Sequence, residues 1–182
     1  MKFMQTKNIN IRRVHADDWE DLFRLLGDEN SQKYQIKGIY NKEQCIQEIL
    51  EMSKYNTCWS FCLKETGEVV GFVTLCQAEP KNSSIFKLHF NATNACYENG
   101  YVVEVANRML QYAFEELSAH RVIGSTCALD ILSNRVYLSI KMRKEGVLQR
   151  AHTYRVTKTK RPIWWDIYIF AILKEEWLKL IK

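Results

Sequence analysis

Three short stretches of this chain combine residue types that do chemistry. The first is Asn99-Gly100, immediately ahead of an amphipathic run that starts at Tyr101. Asparagine and glycine tolerate positive φ, so the backbone can turn its N–H groups inward above a helix N-terminus, a concavity that suits a phosphate. A plain helix cap would use the same residues. The second is Ser133 with Tyr137, one helical turn apart on one face, with Asp130 ahead of them as a capping carboxylate. A hydroxyl and a phenol so placed either meet a common ligand or pack half-buried. The third is His152 on a later strand, whose titration range would suit a base and which otherwise is an exposed strand histidine. His89 alternates with Leu88 and Phe90, so it either points into a cleft or packs. Cys96 lacks a neighbouring histidine with an orienting partner, which argues against a thiol nucleophile.

Composition narrows the class. The six cysteines contain no C-x-x-C pair and scatter along the chain, as reduced, mostly buried thiols do. No metal-ligand spacing stands out. A formal charge of +5 without a long Lys/Arg block interleaved with aromatics gives little support to nucleic-acid binding and suits a small anionic ligand better. The 182 residues, 47% apolar and 12% aromatic, can bury one core, so a single domain over 1–182 is expected. The first residues alternate polar and apolar and no apolar run approaches ~18 residues, so a cytoplasmic protein without a membrane segment is expected.

Elements able to position these groups follow from periodicity. Residues 8–14 alternate as a strand, 16–26 form a helix ending at Gly27, and Asn41 caps a second helix with Cys45, Ile46, Ile49 and Leu50 on one stripe. The link between them is polar and carries two tyrosines, a mobile wall for a site. Residues 59–63 and 69–76 form a hairpin around Gly67, with a bulge at Gly71, and 85–90 form the strand ahead of the glycine turn. Val102, Val105, Ala106, Met109, Leu110, Ala113 and Leu117 then mark one helix of about four turns. Strand 121–129, a helix over 130–142 broken at Gly146, and strands 147–156 and 163–173 complete the chain. The order β-α-α-β-β-β-α-β-α-β-β implies an α/β fold with a mixed, mostly antiparallel sheet and helices on both faces. Trp164 and Trp165 face opposite sides, leaving one for the core and one for a substrate wall or a homodimer surface.

Four segments carry a resemblance to a known family. Tyr101-Val102-Val103-Glu104 with residues 111–117 and 120–122, then Asp130-Ile131-Leu132-Ser133 with Arg135-Val136-Tyr137, then residues 145–148, and finally 166–177 read as a closing strand, together resemble the GNAT superfamily of acyl-CoA transferases, in particular its RimJ/RimL type. The family's Gln/Arg-x-x-Gly-x-Gly/Ala turn corresponds to Tyr97, Glu98, Asn99, Gly100, Tyr101 and Val102, keeping only the central glycine. Here Val102 brings a branched side chain and Glu98 a negative charge to the turn. Lys141-Met142 replace a Gly-Phe pair, and Asp130 stands where asparagine is usual.

The resemblance implies the GNAT fold and an N-acetyltransferase that uses acetyl-CoA as cosubstrate and no metal. The diphosphate would rest on Glu98, Asn99, Gly100, Tyr101, Val102 and Val103, and the thioester would meet backbone N–H groups from Phe90 to Ala92. Asp130 and Ser133 would flank the pantetheine, Tyr137 would protonate the leaving thiolate, and His152 stands near a carboxylate proposed to act on the amine. By its charge the basic turn 158–161 either attracts the 3′-phosphate or an acidic partner, or is a solvated hairpin tip. Residues 121–129 contain no glutamate to serve as a base. At pH 7 an α-amine of pKa ~7.8 is about 15% neutral and a lysine amine of pKa ~10.4 only about 0.04%. The implied acceptor is therefore a protein or peptide N-terminus, attacked directly in a ternary complex. The competing reading is a noncatalytic GNAT-fold protein whose weakened acyl-CoA site serves sensing or protein interaction.

Overall fold

The computed structural model describes residues 3–35, 37–80, 83–156 and 159–181, so Thr157 and Lys158 of the basic turn lie outside the described residues. Short β1 (Met4–Gln5) folds back on β2 (Ile9–Arg13), whose Ile9 and Ile11 are fully buried. Two helices follow, α1 (Trp19–Leu26) and α2 (Lys42–Ser53), then the hairpin β3 (Cys58–Leu63) and β4 (Val69–Gln77). After β5 (Ile85–Ala92) come a one-turn helix α3 (Asn94–Glu98), the amphipathic α4 (Tyr101–Gln111) and β6 (Arg121–Cys127). The chain ends with α5 (Ile131–Ser139), β7 (Arg143–Val156), β8 (Pro162–Leu173) and α6 (Lys174–Leu180).

All eight strands form one sheet in the order β1-β2-β3-β4-β5-β6-β8-β7. Every pairing is antiparallel except β5 with β6. That parallel ladder holds only Ile85↔Arg121, Phe86↔Val122 and Lys87↔Ile123. Beyond it both strands continue, to Ala92 and Cys127, without pairing to each other. The sheet therefore opens into a fork.

Each face of the sheet has its own core. On one, Val102, Val105, Ala106, Met109 and Leu110 of α4 pack with Trp59, Phe61, Leu88 and Phe90. Burying each such side chain stabilises by about 1.5–3 kcal/mol, which is why α4 is held by packing more than by propensity. On the other, Leu22, Leu25 and Leu26 of α1 and Cys45, Ile49 and Met52 of α2 cover Cys58, Cys62 and Phe72. Alternation along β3 divides its residues between the two.

Several sequence expectations are corrected. The helix expected over 102–117 ends as an α-helix at Gln111 and continues as a π-helical turn, Tyr112–Glu116, closed by Leu117 N–H to Tyr112 O at 3.2 Å. The widened turn keeps Tyr112, Ala113 and Phe114 all buried. The helix expected to reach Met142 stops at Ser139, because Lys141 turns to φ 64°; Gly146 lies at a register shift within β7 instead of ending the helix. The closing segment 166–177 is not all strand. It becomes α6 after Leu173, whose N–H donates to Glu176 Oε2 at 2.8 Å, while Trp177 packs on Phe114. Gly71 does sit beside a bulge, next to the extra residue Val70 on β4, and a Cβ there would fall 2.3 Å from Phe61 Cζ.

A charged staple fixes the start of α1 to the sheet. Buried Asp18 accepts from both Arg12 guanidinium nitrogens at 2.6 and 2.9 Å, from the His15 amide at 2.9 Å and from the Ser60 hydroxyl at 2.5 Å. Burial by itself raises the Asp18 pKa, but Arg12, the His15 amide and Ser60 outweigh it and hold the carboxyl below its ordinary value. The folded pKa thus lies below the unfolded ~3.9, so the stabilisation is present above that value and is lost as pH falls through the folded one. Asp18→Asn is expected to cost about 3 kcal/mol in urea unfolding at pH 7. It should also flatten the acid limb of the stability curve.

Candidate active site

The fork is filled from the α4 side by one aromatic side chain. Tyr137, on the buried face of α5, stacks on Phe170 at 5.0 Å between ring centroids and lies 4.9 Å from Phe90. Its hydroxyl donates to the Leu88 carbonyl at 3.0 Å, one residue past the last β5–β6 pair. Gly124 makes this approach possible, since a Cβ there would fall 2.3 Å from the Tyr137 ring. Polar groups of alternate strand residues share a side, so the Phe90 and Ala92 amides face the fork with the Leu88 carbonyl, whereas the Thr93 amide turns away to Val70 O at 3.2 Å. Phe90 and Ala92 are themselves buried. An amide aimed into the fork can polarise a carbonyl held there.

Beside the fork, on the α1/α2 face, lies a cavity of about 370 Å³. Its walls come from β4 (Thr74), β5 (His89, Asn91), β6 (Ser125) and the α1–α2 link (Tyr34, Tyr40), and Tyr137 also lines it. His152 of β7 stands on its outer wall, opposite Trp165 in the β7–β8 ladder. Among the described residues lining this cavity Glu48 supplies the one carboxylate, and its Oε2 is paired with Lys37 Nζ at 2.7 Å. Buried Gln32 ties the link down: its Nε2 donates to Leu25 O at 3.1 Å and its Oε1 accepts from Asn91 Nδ2 at 3.3 Å. A second cavity of about 310 Å³, lined by Ala92, Tyr97, Leu129 and Asp130, shares Tyr34 and Gln35 with the first.

Between the cavities the α5 N-terminus is organised by hydrogen bonds. Asp130 Oδ1 accepts from the Ser133 amide at 3.1 Å, which makes Asp130 the helix cap. The buried Ser133 hydroxyl lies 3.4 Å from the Tyr97 hydroxyl, and the Tyr97 ring meets Phe90 edge-on at 6.3 Å. Burial first, then the neighbouring Tyr97 and Asp130, raise the Tyr137 pKa, so the phenol stays protonated through the neutral range. Burial likewise raises Tyr97, Cys58, Cys96 and Cys127. These thiols are protonated, and Cys96 Sγ contacts the Val70 carbonyl at 3.9 Å; neither fact suits a nucleophile.

At the glycine turn, Gly100 adopts φ 74° and caps α4, with open space where a Cβ would sit. The Asn99 amide donates to Ala95 O and the Gly100 amide to Tyr97 O, leaving Tyr101, Val102 and Val103 as the first-turn amides of α4, which have no acceptor within the helix. Val102 is fully buried in the core, so its branched side chain points away from that terminus, and Glu98 is exposed. The turn therefore retains donors for a diphosphate in spite of its sequence.

Sequence reasoning singled out Tyr137, Ser133 and Asp130, which the fold brings to the fork and its cavities, and the Asn99-Gly100 turn, which stands at the α4 N-terminus and lines neither of these cavities. It passed over Asn91 and Gln32. Asn91 shares the cavity-facing side of β5 with His89, a signal present in the alternation, whereas Gln32 sits in a link with no periodicity. Among the described residues there is no cluster of three or more His, Cys, Asp or Glu able to hold a metal, and no helix long and apolar enough to cross a membrane.

Residues 8–143 match the acetyltransferase (GNAT) domain family. The chain is 29% identical over 175 residues to the uncharacterized N-acetyltransferase YnaD of Bacillus subtilis, covering 94% of this chain and 97% of that protein. The structure of a GNAT-family acetyltransferase from Bacillus anthracis superposes with a TM-score of 0.85 at 24% identity, covering 96% and 100% of the two chains. At lower identity, the ribosomal-protein-S5-alanine acetyltransferase of Vibrio fischeri (14%, TM-score 0.76, 97% and 99% covered) and the spermidine N-acetyltransferase of Vibrio cholerae, solved with CoA and spermine (16%, 0.77, 95% and 99%), share the fold. With the family match spanning most of its length and the fork, the glycine turn and the mostly antiparallel sheet in place, this chain belongs to the GNAT acetyltransferases and is an acyltransferase.

Proposed function

We propose that residues 1–182 form one domain that transfers acetyl from acetyl-CoA to the α-amine of a protein or peptide N-terminus, in the manner of the RimJ/RimL type and in the cytoplasm. The observation that carries this reading is the acceptor cavity: it opens on the fork, and its one carboxylate among the described residues is already paired with Lys37. Such a wall offers little to a second ammonium group, which separates it from what a polyamine needs. It also has no free carboxylate to strip a strongly basic amine, and the α-amine is the primary amine that is most readily neutral.

In this reading the α4 first-turn amides and Gly100 hold the diphosphate, with the helix dipole adding positive potential. The pantetheine passes Asp130 and Ser133 into the fork, the Phe90 amide faces the thioester carbonyl, and the Tyr137 hydroxyl faces the sulfur. His152, on the outer cavity wall, is left to contact the acceptor. The noncatalytic alternative draws on Tyr97, whose aromatic ring stands where the family carries glutamine or arginine. Against it count the inward direction of Val102 and the open space above Gly100, which remove the crowding that the turn's sequence suggests.

Thermal unfolding with acetyl-CoA separates the two. At about 100 times the dissociation constant, binding is expected to add ~2.7 kcal/mol, several degrees in Tm. No shift at millimolar ligand removes the enzyme reading. Val102→Ala should leave that shift unchanged while costing about 2 kcal/mol of stability through the cavity it leaves; tighter binding would show that the side chain does crowd the ligand. For the chemistry, Tyr137→Phe is expected to lower turnover about 100-fold with acetyl-CoA affinity intact, measured as free-thiol release from acetyl-CoA with an alanine-initiated peptide amide. Turnover equal to wild type takes Tyr137 out of the reaction.

A further inference from the structure

The acceptor amine arrives as an ammonium ion, and no residue placed so far receives its proton. Two histidines line the cavity, at very different distances from the fork. His152 lies on β7, the edge strand, with β8 between it and β6. At ~4.8 Å per strand that places its backbone roughly 10 Å from β6, two strands away from the fork. His89 lies on β5 itself, two residues past the last pair, Lys87↔Ile123, at the point where the strands part. Leu88 and Phe90 direct their side chains into the α4 core, so alternation turns His89 to the acceptor side, where it lines the cavity.

We propose that His89 is the base that takes the proton from the acceptor ammonium, working across the fork from Tyr137. This assignment rests on the transferase reading above. One ammonium proton passes to the imidazole and on to solvent. The nitrogen lone pair then forms the N–C bond at the thioester carbonyl, and the C–S bond breaks with its electron pair on sulfur. The second nitrogen proton balances that thiolate by way of the Tyr137 hydroxyl, leaving an amide and a free thiol. Acid and base reach the reacting carbon from opposite faces of the sheet, so neither obstructs the other.

The surroundings suit the role. The imidazole makes no hydrogen bond within the protein among the described residues, and solvent reaches it through the cavity, so a ring nitrogen is open to substrate. Protein packed around it lowers its pKa by desolvation, partly opposed by Asp130, which keeps it neutral and proton-accepting at pH 7. Of the other titratable groups around the cavity, the phenols of Tyr40 and Tyr137 and the thiols of Cys58 and Cys127 are held protonated by burial. Tyr34 faces it from the α1–α2 link, and Lys37 and Glu48 neutralise each other. Asp130 is the charge that shapes its titration, and His152 is the remaining titratable side chain lining the cavity.

The test is the pH dependence of kcat/KM for thiol release with an alanine-initiated tetrapeptide amide, in the wild type, His89→Gln and His152→Gln. The wild-type acid limb is expected below the ordinary histidine value of ~6.5. In His89→Gln the rate at pH 7 should fall about 100-fold, and the limb should move to the peptide's own pKa of ~7.8, because the amine must then arrive neutral by itself. An unchanged thermal shift with acetyl-CoA shows that this variant is folded and loaded. His152→Gln should alter KM and keep the limb. The assignment is overturned if His89→Gln retains the wild-type rate and limb, or if His152→Gln is the variant that loses them. A wild type that binds acetyl-CoA but releases no thiol with any amine overturns the transferase reading and this assignment with it.

Discussion

The structure depends on the point at which β5 and β6 stop pairing. Two parallel strands that kept their ladder would satisfy each other's amides and carbonyls and leave nothing to offer a substrate. Here the ladder ends after Lys87 and Ile123, and the phenol of Tyr137 occupies the opening, bonded to the first carbonyl that the separation frees. Gly124 is the residue on β6 that permits this, and Phe90 and Phe170 clasp the ring. The separation is maintained from both sides, because α4 and α5 load one face while α1, α2 and their link load the other. A buried backbone edge would be costly in an isolated strand; in this fold it is a preformed site.

Burial around that edge sets the chemistry. It holds phenols and thiols in their protonated forms while pushing a histidine toward its neutral form, because desolvation always disfavours the charged state. The same desolvation raises the Tyr137 phenol and lowers the His89 imidazole, groups whose unperturbed pKa values differ by about 3.5 units. A phenol with a raised pKa is a weak acid, and here its proton is held by the Leu88 carbonyl at 3.0 Å. The charged residues of the cavity lie at its rim, paired, and leave the reacting centre neutral.

Much of this was legible in the sequence. The stripe Val102 to Leu110 marks α4, the alternation in 8–14 and 85–90 marks two strands, and Gly67 marks the hairpin, because each signal is local and repeats with a known period. The π-helical turn at Tyr112 escaped, since its apolar residues continue the helical stripe and the extra residue is accommodated only through tertiary packing on Trp177. The break at Lys141 escaped because a positive φ was expected at glycine. In the site, Ser133 and Tyr137 could be paired from their spacing on one helix. Gln32 and Asn91 could not: they meet across 59 positions, and what joins them is a shortage of other partners in a buried place.

The glycine turn shows why a motif needs to be judged by direction as well as by residue type. Its sequence departs from the family pattern at two of the three defined positions, yet a diphosphate site of this kind is built from backbone amides, and a side chain matters only where its Cβ points. At Gly100, φ 74° makes a side chain a strain, although a Cβ there would meet only open space. At Val102 the Cβ points into the core, where a branched apolar residue stabilises α4 and a glycine would leave a void. Tyr97, standing in place of a polar residue, links α3 to α5 through Ser133 and to β5 through Phe90. The replacements thus make contacts within the protein. They leave the donor set of the helix N-terminus in place, and with it the feature on which phosphate recognition physically depends.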